Sequence, residues 1–106
     1  MAKIVWKETA SSLLEAHLDY ALVEFGRKCV SNWYRDIKHI EARLTIQPLS
    51  YPPVPILKHR NKEYRGATIM KNFQIIHYYD EPNDIVYIDT IWDMRMNPVR
   101  LNDSIE

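Results

Sequence analysis

Apolar residues recur along the chain with two different periods, and each change of period marks an element. The run Lys3 to Trp6, KIVW, is built from residue types that suit half-buried pleated positions and reads as a first strand. From about Glu8 the spacing turns helical. Leu14, Leu18, Ala21, Leu22 and Phe25 fall on one stripe, Thr9, Ser11 and Ser12 stand near its start where free amides need acceptors, and Gly26 supplies a stop. A second helix follows at once, because Val30, Trp33, Tyr34, Ile37, Ile40 and Leu44 keep spacings of three and four. So short a connection implies two antiparallel, neighbouring helices.

The stretch Pro48 to Pro55, PLSYPPVP, holds four of the six prolines and ends that helix, since proline lacks the amide a helix needs and pushes the residue before it toward extended geometry. It reads as an ordered, extended connector inside one domain. Three strands are expected beyond it: Tyr64 to Met70, Phe73 to Tyr79 and Ile85 to Trp92. Lys71-Asn72 is the first turn between them and Glu81-Pro82-Asn83-Asp84 the second. The order strand, helix, helix, strand, strand, strand predicts an α+β fold: a small, mostly antiparallel four-stranded sheet with an N-terminal helical hairpin on one face. The other face is then left to solvent or a partner. Tyr78, Tyr79, Ile85, Tyr87 and Trp92 give these strands an aromatic excess, which predicts a partly apolar binding surface there; the competing expectation is that most of these rings fill the helix-facing core.

Composition narrows the class. With 106 residues, 46% hydrophobic and 26% charged, the chain reads as a single domain over 1–106 with enough core to fold unaided. The lone cysteine, Cys29, excludes an internal disulfide, no cluster of cysteine and histidine has metal-ligand spacing, and the two glycines, Gly26 and Gly66, make no phosphate-binding loop. Neither a metal nor a cofactor is therefore expected. The N-terminus lacks a signal-peptide core, and no stretch approaches the ~18 apolar residues of a membrane span. A soluble, cytoplasmic protein without membrane contact is the expectation.

Formal net charge is zero, from 14 basic and 14 acidic residues, but the charges are segregated. Lys58, Arg60, Lys62, Arg65 and Lys71 gather around Glu63 alone, with His59 among them, while Asp80 to Asp93 holds five acids and no base. Such runs can steer a polyanion to one face and a basic partner to another, or can be cancelled by their neighbours in space. His77, mid-strand between Ile76 and Tyr78, reads as a structural histidine. His17 and His39 show no catalytic pattern, and Cys29 has no base beside it to make it a nucleophile.

In order and spacing these segments resemble the RelE/ParE superfamily of toxins from bacterial type II toxin-antitoxin pairs. The resemblance runs through Ile4-Val5-Trp6, Ala10, Leu13 and Tyr20, Phe25-Gly26, Pro48, Tyr64-Arg65, Phe73-Gln74-Ile75-Ile76 and the terminal Ile91 to Pro98. The closing pattern Asp-x-Arg-x-Asn-Pro is similar to the tail of the ParE-like, plasmid-stabilisation branch. The resemblance implies a cognate antitoxin whose C-terminal segment wraps the toxin as helix and strand, giving a heterodimer or hetero-oligomer. Tyr79, Tyr87 and Trp92 are the candidate antitoxin contacts.

Two mechanisms go with this scaffold. ParE-like members poison DNA gyrase without being hydrolases, and Lys58, Arg60, Arg65, Lys71 and Arg95 are the candidate target-binding residues. RelE-like members cut messenger RNA on the ribosome without metal. That chemistry needs a base, an acid and cations on the phosphate, for which Lys58, His59, Arg65 and Arg95 are the candidates. Gln74 stands where RelE-like members carry an arginine, Val99 to Glu106 offers no tyrosine or histidine, and zero net charge is unusual for a ribosomal RNA site. The ParE-like reading is preferred on these grounds. A degenerate, purely interacting member of the same fold is the third reading.

Overall fold

The computed structural model describes residues 1–105. Strand β1 (Lys3–Trp6) leads into α1 (Glu8–Phe25), and Gly26 alone joins α1 to α2 (Arg27–Ile46). Its φ of 86° lies in the left-handed region that glycine enters without a Cβ penalty, and its amide closes α1 on the carbonyls of Ala21 and Leu22. After a 3-10 turn at Pro55–Leu57 come β2 (Arg65–Ile69), β3 (Phe73–Asp80), β4 (Ile85–Asp93) and a short C-terminal helix, α3 (Val99–Ser104).

The strands lie in the order β1-β4-β3-β2. The β2–β3 and β3–β4 pairs are antiparallel, whereas β1 runs parallel to β4 with Trp6 opposite Ile88. A parallel pair needs a long crossover, and the helical hairpin belongs to it. The last strand made is thus a central one, and its burial shows it: Ile88 to Trp92 are buried without interruption. Between Ile76 and His77 the register slips. Ile76 pairs with Thr90 and His77 with Ile88, which leaves Asp89 as the extra residue of a β-bulge.

On one face α1 and α2 pack Ala10, Ala21, Trp33, Ile37, Ile40 and Leu44 against Ala67, Ile69, Ile75, Val86, Ile88 and Ile91. The stripe on α1 is shorter than its spacing suggests. Leu22 and Phe25 are 50% and 67% exposed, whereas their neighbour Ala21 is buried in the core. Tyr34 of α2 is likewise 50% exposed.

The second face differs from the expectation of an open surface. The 52–64 segment and α3 fold across it and bury Val54, Leu57, Tyr64, Ile76, Tyr78, Trp92, Leu101 and Ile105 together. Tyr78 and Trp92 therefore fill a core, but not the helix-facing one. The expected plain tail after Asn97 is the helix α3. Asn97 Oδ1 accepts the amide of Val99 at 3.1 Å, and Leu101 and Ile105, four apart, point into the apolar cluster. Six residues are too few to register as a helical period in sequence, although the capping asparagine and the Leu101–Ile105 spacing were both visible.

The proline-rich connector is ordered as expected. Arg43 donates to Ser50 Oγ and lies over the Tyr51 ring, and Val54 N–H donates to the Tyr64 carbonyl beside β2. The β2–β3 turn sits one residue earlier than Lys71-Asn72, with Met70 and Lys71 both at positive φ. Asp84, also at positive φ, closes the β3–β4 turn at the expected place.

Candidate functional site

The sheet and its covering segments distribute the candidate residues over three places. Arg95 stands just past β4. Its guanidinium makes two hydrogen bonds to the Asp93 carboxylate, at 3.0 and 2.9 Å, while its backbone amide donates to the same group. These bonds hold Asp93 below the usual carboxylate range and raise Arg95. Around this corner His17, Tyr20, Phe25, Trp33, Met70 and Phe73 enclose a cleft of about 250 Å³, with Arg95 at 5.8 Å over the Phe73 ring. His17 is pushed down by burial against the opposing pull of Asp93. The Met94 amide donates to the Asn72 carbonyl, so the turn carrying Lys71 adjoins the same end of the sheet.

Arg65 is elsewhere. It pairs with His77 in the β2–β3 ladder, whereas Asp93, two residues before Arg95, pairs with Phe73, four positions from His77 along β3. At the rise of a strand that is a separation of about 13 Å. Arg65 is also occupied, donating to the Tyr51 carbonyl and pairing with Glu63. Lys58 and His59 are exposed in the turn after the 3-10 segment, on the second face. Arg60 beside them reaches across to the carbonyls of Asn102 and Ile105 and ties α3 down. The basic run thus splits into a structural tether (Arg60), a strand anchor (Arg65), a lysine held on Tyr78 (Lys62) and the exposed Lys58 and Lys71. The acidic run is spent in the same way: Asp89 on Lys7, Asp93 on Arg95, Asp84 on the Tyr79 hydroxyl and Asp80 on Asn83.

Of the candidate antitoxin contacts, Tyr79 and Tyr87 line one cleft and Trp92 lies apart from it. Tyr79 packs with the helix-side core, and its hydroxyl, donated to Asp84, is raised by that bond. Tyr87 and Trp92 belong to the second face, where Trp92 is 8% exposed.

A cluster that the sequence reading passed over lies on that second face. The bulge turns Asp89, 2% exposed, toward Lys7, whose ammonium sits 3.1 Å from its carboxylate and 5.0 Å from the Tyr78 ring centre. Lys62 donates to the Tyr78 hydroxyl at 3.2 Å and lies 4.4 Å over the same ring. Tyr87 stacks on Tyr78 at 5.3 Å, and Tyr64 meets it edge-on at 5.5 Å. Burial lowers Lys7, but the hydrogen bonds to Tyr78 and Asp89 outweigh it and leave the ammonium raised; burial also raises the Tyr64 hydroxyl. Lys7 and Asp89 are 82 residues apart. The signal that could have found them is a polar residue, Asp89, inside the apolar run of β4.

His77 is held as a buried ring on one of its two nitrogens, its Nε2 being buried without a hydrogen-bond partner among the described residues. It is fully buried, its Nδ1 lies 3.0 Å from the Ile75 carbonyl and Tyr51 packs edge-on against its ring; burial takes its pKa from 6.5 to about 4. Gln74 lies across Gly66, where a Cβ would collide with its amide, so glycine is what lets that side chain lie flat on the sheet. Among the described residues no group of three histidine, cysteine, aspartate or glutamate side chains could hold a metal ion, and no helix is long and apolar enough to cross a membrane.

No protein-family model and no curated protein sequence matches the chain. Among solved structures the fold is similar to a chain of the chromosomal ParDE toxin-antitoxin system of P. aeruginosa. The TM-score is 0.67 at 18% sequence identity, and the match covers 88% of this chain and 96% of that one. The chain therefore shares the fold of that structure.

Proposed function

We propose that the chain is the toxin of a type II toxin-antitoxin pair, that it acts by docking on DNA gyrase in the ParE manner, and that a cognate antitoxin neutralises it in the cytoplasm. The observation that carries the preference for docking over RNA cleavage is the dispersal of the nuclease candidates. Arg95 is neutralised by Asp93 at one end of the sheet, Arg65 is occupied about 13 Å away, and Lys58 and His59 sit on the opposite face. A metal-free cleavage site needs its acid, base and cations within hydrogen-bond reach of one phosphate. Lys71 and Arg95 do share one end of the sheet, beside the aromatic cleft, and these two are the best target contacts among the five candidates.

Induction without its antitoxin is expected to arrest bacterial growth. Purified chain is expected to trap gyrase-DNA cleavage complexes, with no codon-positioned cuts in cellular transcripts. Arg95→Ala combined with Lys71→Ala should lose gyrase poisoning, while Lys58→Ala with His59→Ala keeps it. Transcript cuts without gyrase complexes would overturn the reading, and normal growth at verified protein levels would leave the degenerate, interacting member.

One observation favours the RelE-like alternative, with different residues from those first expected. Two lysines converge on the hydroxyl of Tyr78 beside buried Asp89, an arrangement able to hold a phosphate and move a proton. Under that reading Lys62→Ala and Tyr78→Phe abolish transcript cleavage. Under the gyrase reading both variants still trap cleavage complexes.

A further inference from the structure

Charges on the helical hairpin are sorted by helix. Helix α1 exposes Glu8, Glu15, Asp19 and Glu24 and contains no lysine or arginine, whereas α2 exposes Arg27, Lys28, Arg35, Lys38 and Arg43 against half-buried Asp36 and Glu41. Among the described residues no ion pair crosses between the two helices. Between them runs an apolar groove of about 550 Å³ lined by Leu14, Leu18, Tyr34 and Ile37, with Glu15 and Asp19 on the α1 side and, on the α2 side, Lys38 and Glu41, whose carboxylate accepts the Trp6 indole N–H. Leu22 and Tyr34, each half-exposed, extend its apolar strip toward the hairpin tip. The acidic bank, the apolar strip and the basic bank make a face whose electrostatic complement is itself, turned over.

We propose that this face pairs two copies of the chain, α1 of one against α2 of the other. A twofold axis lying in the face can run across the helices or along them. Across, it sets α1 on α1 and opposes acid to acid and base to base. Along, it sets α1 antiparallel on α2 of the second copy and keeps every residue at its own height. Glu15 and Lys38 stand level across the groove of one chain, so the second arrangement brings Glu15 onto Lys38 of the second copy. Symmetry makes the contact twice. The layer is a four-helix arrangement closed over Leu14, Leu18, Leu22 and Tyr34, the packing that paired helical hairpins adopt. A face about 27 Å long and two helices wide covers about 1,000 Å² in total, the size of weak, transient interfaces, so the dimer is a dissociating one.

Sedimentation velocity of the purified full chain over about a hundredfold range of concentration tests this directly. A monomer–dimer equilibrium that weakens at high salt is expected. Lys38→Glu and Glu15→Lys, each shown to be folded by circular dichroism, should each weaken dimerisation by about tenfold, since attraction becomes repulsion at two symmetric places. The double exchange, Glu15→Lys with Lys38→Glu, should return it to within about threefold of the natural chain. A monomer at every concentration, a dimer indifferent to Lys38→Glu, or single reversals that the double exchange fails to rescue would each overturn the proposal. The pairing does not depend on the toxin reading, and neither result would alter that reading.

Discussion

The two faces of the sheet are closed by unlike means. On the first, helices of 18 and 20 residues lay a long apolar stripe over the strands, and what holds them is area. On the second, an irregular segment, one 3-10 turn and a six-residue helix cover an apolar cluster, and named polar contacts hold them: Arg60 on the carbonyls of Asn102 and Ile105, Lys62 on the Tyr78 hydroxyl. Short elements bury too little surface to stay put by area alone, so directional bonds carry more of the load there. The first face should therefore fail globally and the second piecewise.

Core truncations test that contrast at its strongest. Ile88→Ala, fully buried under the hairpin, should cost about 2–5 kcal/mol in urea unfolding, while Leu101→Ala in α3 should cost at most about 2, because a short helix can settle into the space or fray. Equal losses would erase the distinction between the faces. Acid sharpens it next. His77 takes up a proton near pH 6.5 in the unfolded chain but only near 4 when folded, so its contribution is intact above pH 6.5 and lost as pH falls toward 4, by about 3 kcal/mol. The measurement is urea stability against pH, and His77→Phe should flatten the slope.

On the second face Asp89→Asn should cost about 2 kcal/mol. That is below the penalty of breaking a fully buried pair, because Lys7 keeps a quarter of its side chain in water. The smallest effect belongs to Arg60→Ala, about 1 kcal/mol. Its signature is local: amides of residues 99–105 should exchange faster with deuterium while those of β4 stay protected. Faster exchange throughout β4 would show that the second face is part of one cooperative unit with the first.

This contrast also explains which parts were legible in the sequence. β1, the hairpin, the Gly26 joint, the proline connector and the three later strands follow from periods of 3.6 and 2 and from turn residues, all of them local signals. The cover of the second face follows from no period. It depends on Leu57, Leu101 and Ile105 meeting in space, and on Arg60 reaching a helix more than 40 residues later. For the site, Arg95 could be singled out by its motif, and that motif also carries local architecture: Asp93 pairs with Arg95, and Asn97 accepts the Val99 amide at the start of α3. The Lys7–Asp89 pair was missed, although a polar residue inside the apolar run of β4 hinted at it, because a contact across 82 residues and a one-residue bulge leave no trace in spacing.

The position of β4 in the sheet has a consequence for the birth of the molecule. This strand joins β1 on one side and β3 on the other, and it is the last strand to be synthesised. Until residues 85–93 have left the ribosome, β1 has no partner and the hairpin has only part of its floor. Folding must then wait for the whole chain, since the contacts that close the sheet are among the longest in sequence. A nascent copy therefore lacks its closed sheet until its last strand is free, and the surfaces built on that sheet exist only after release.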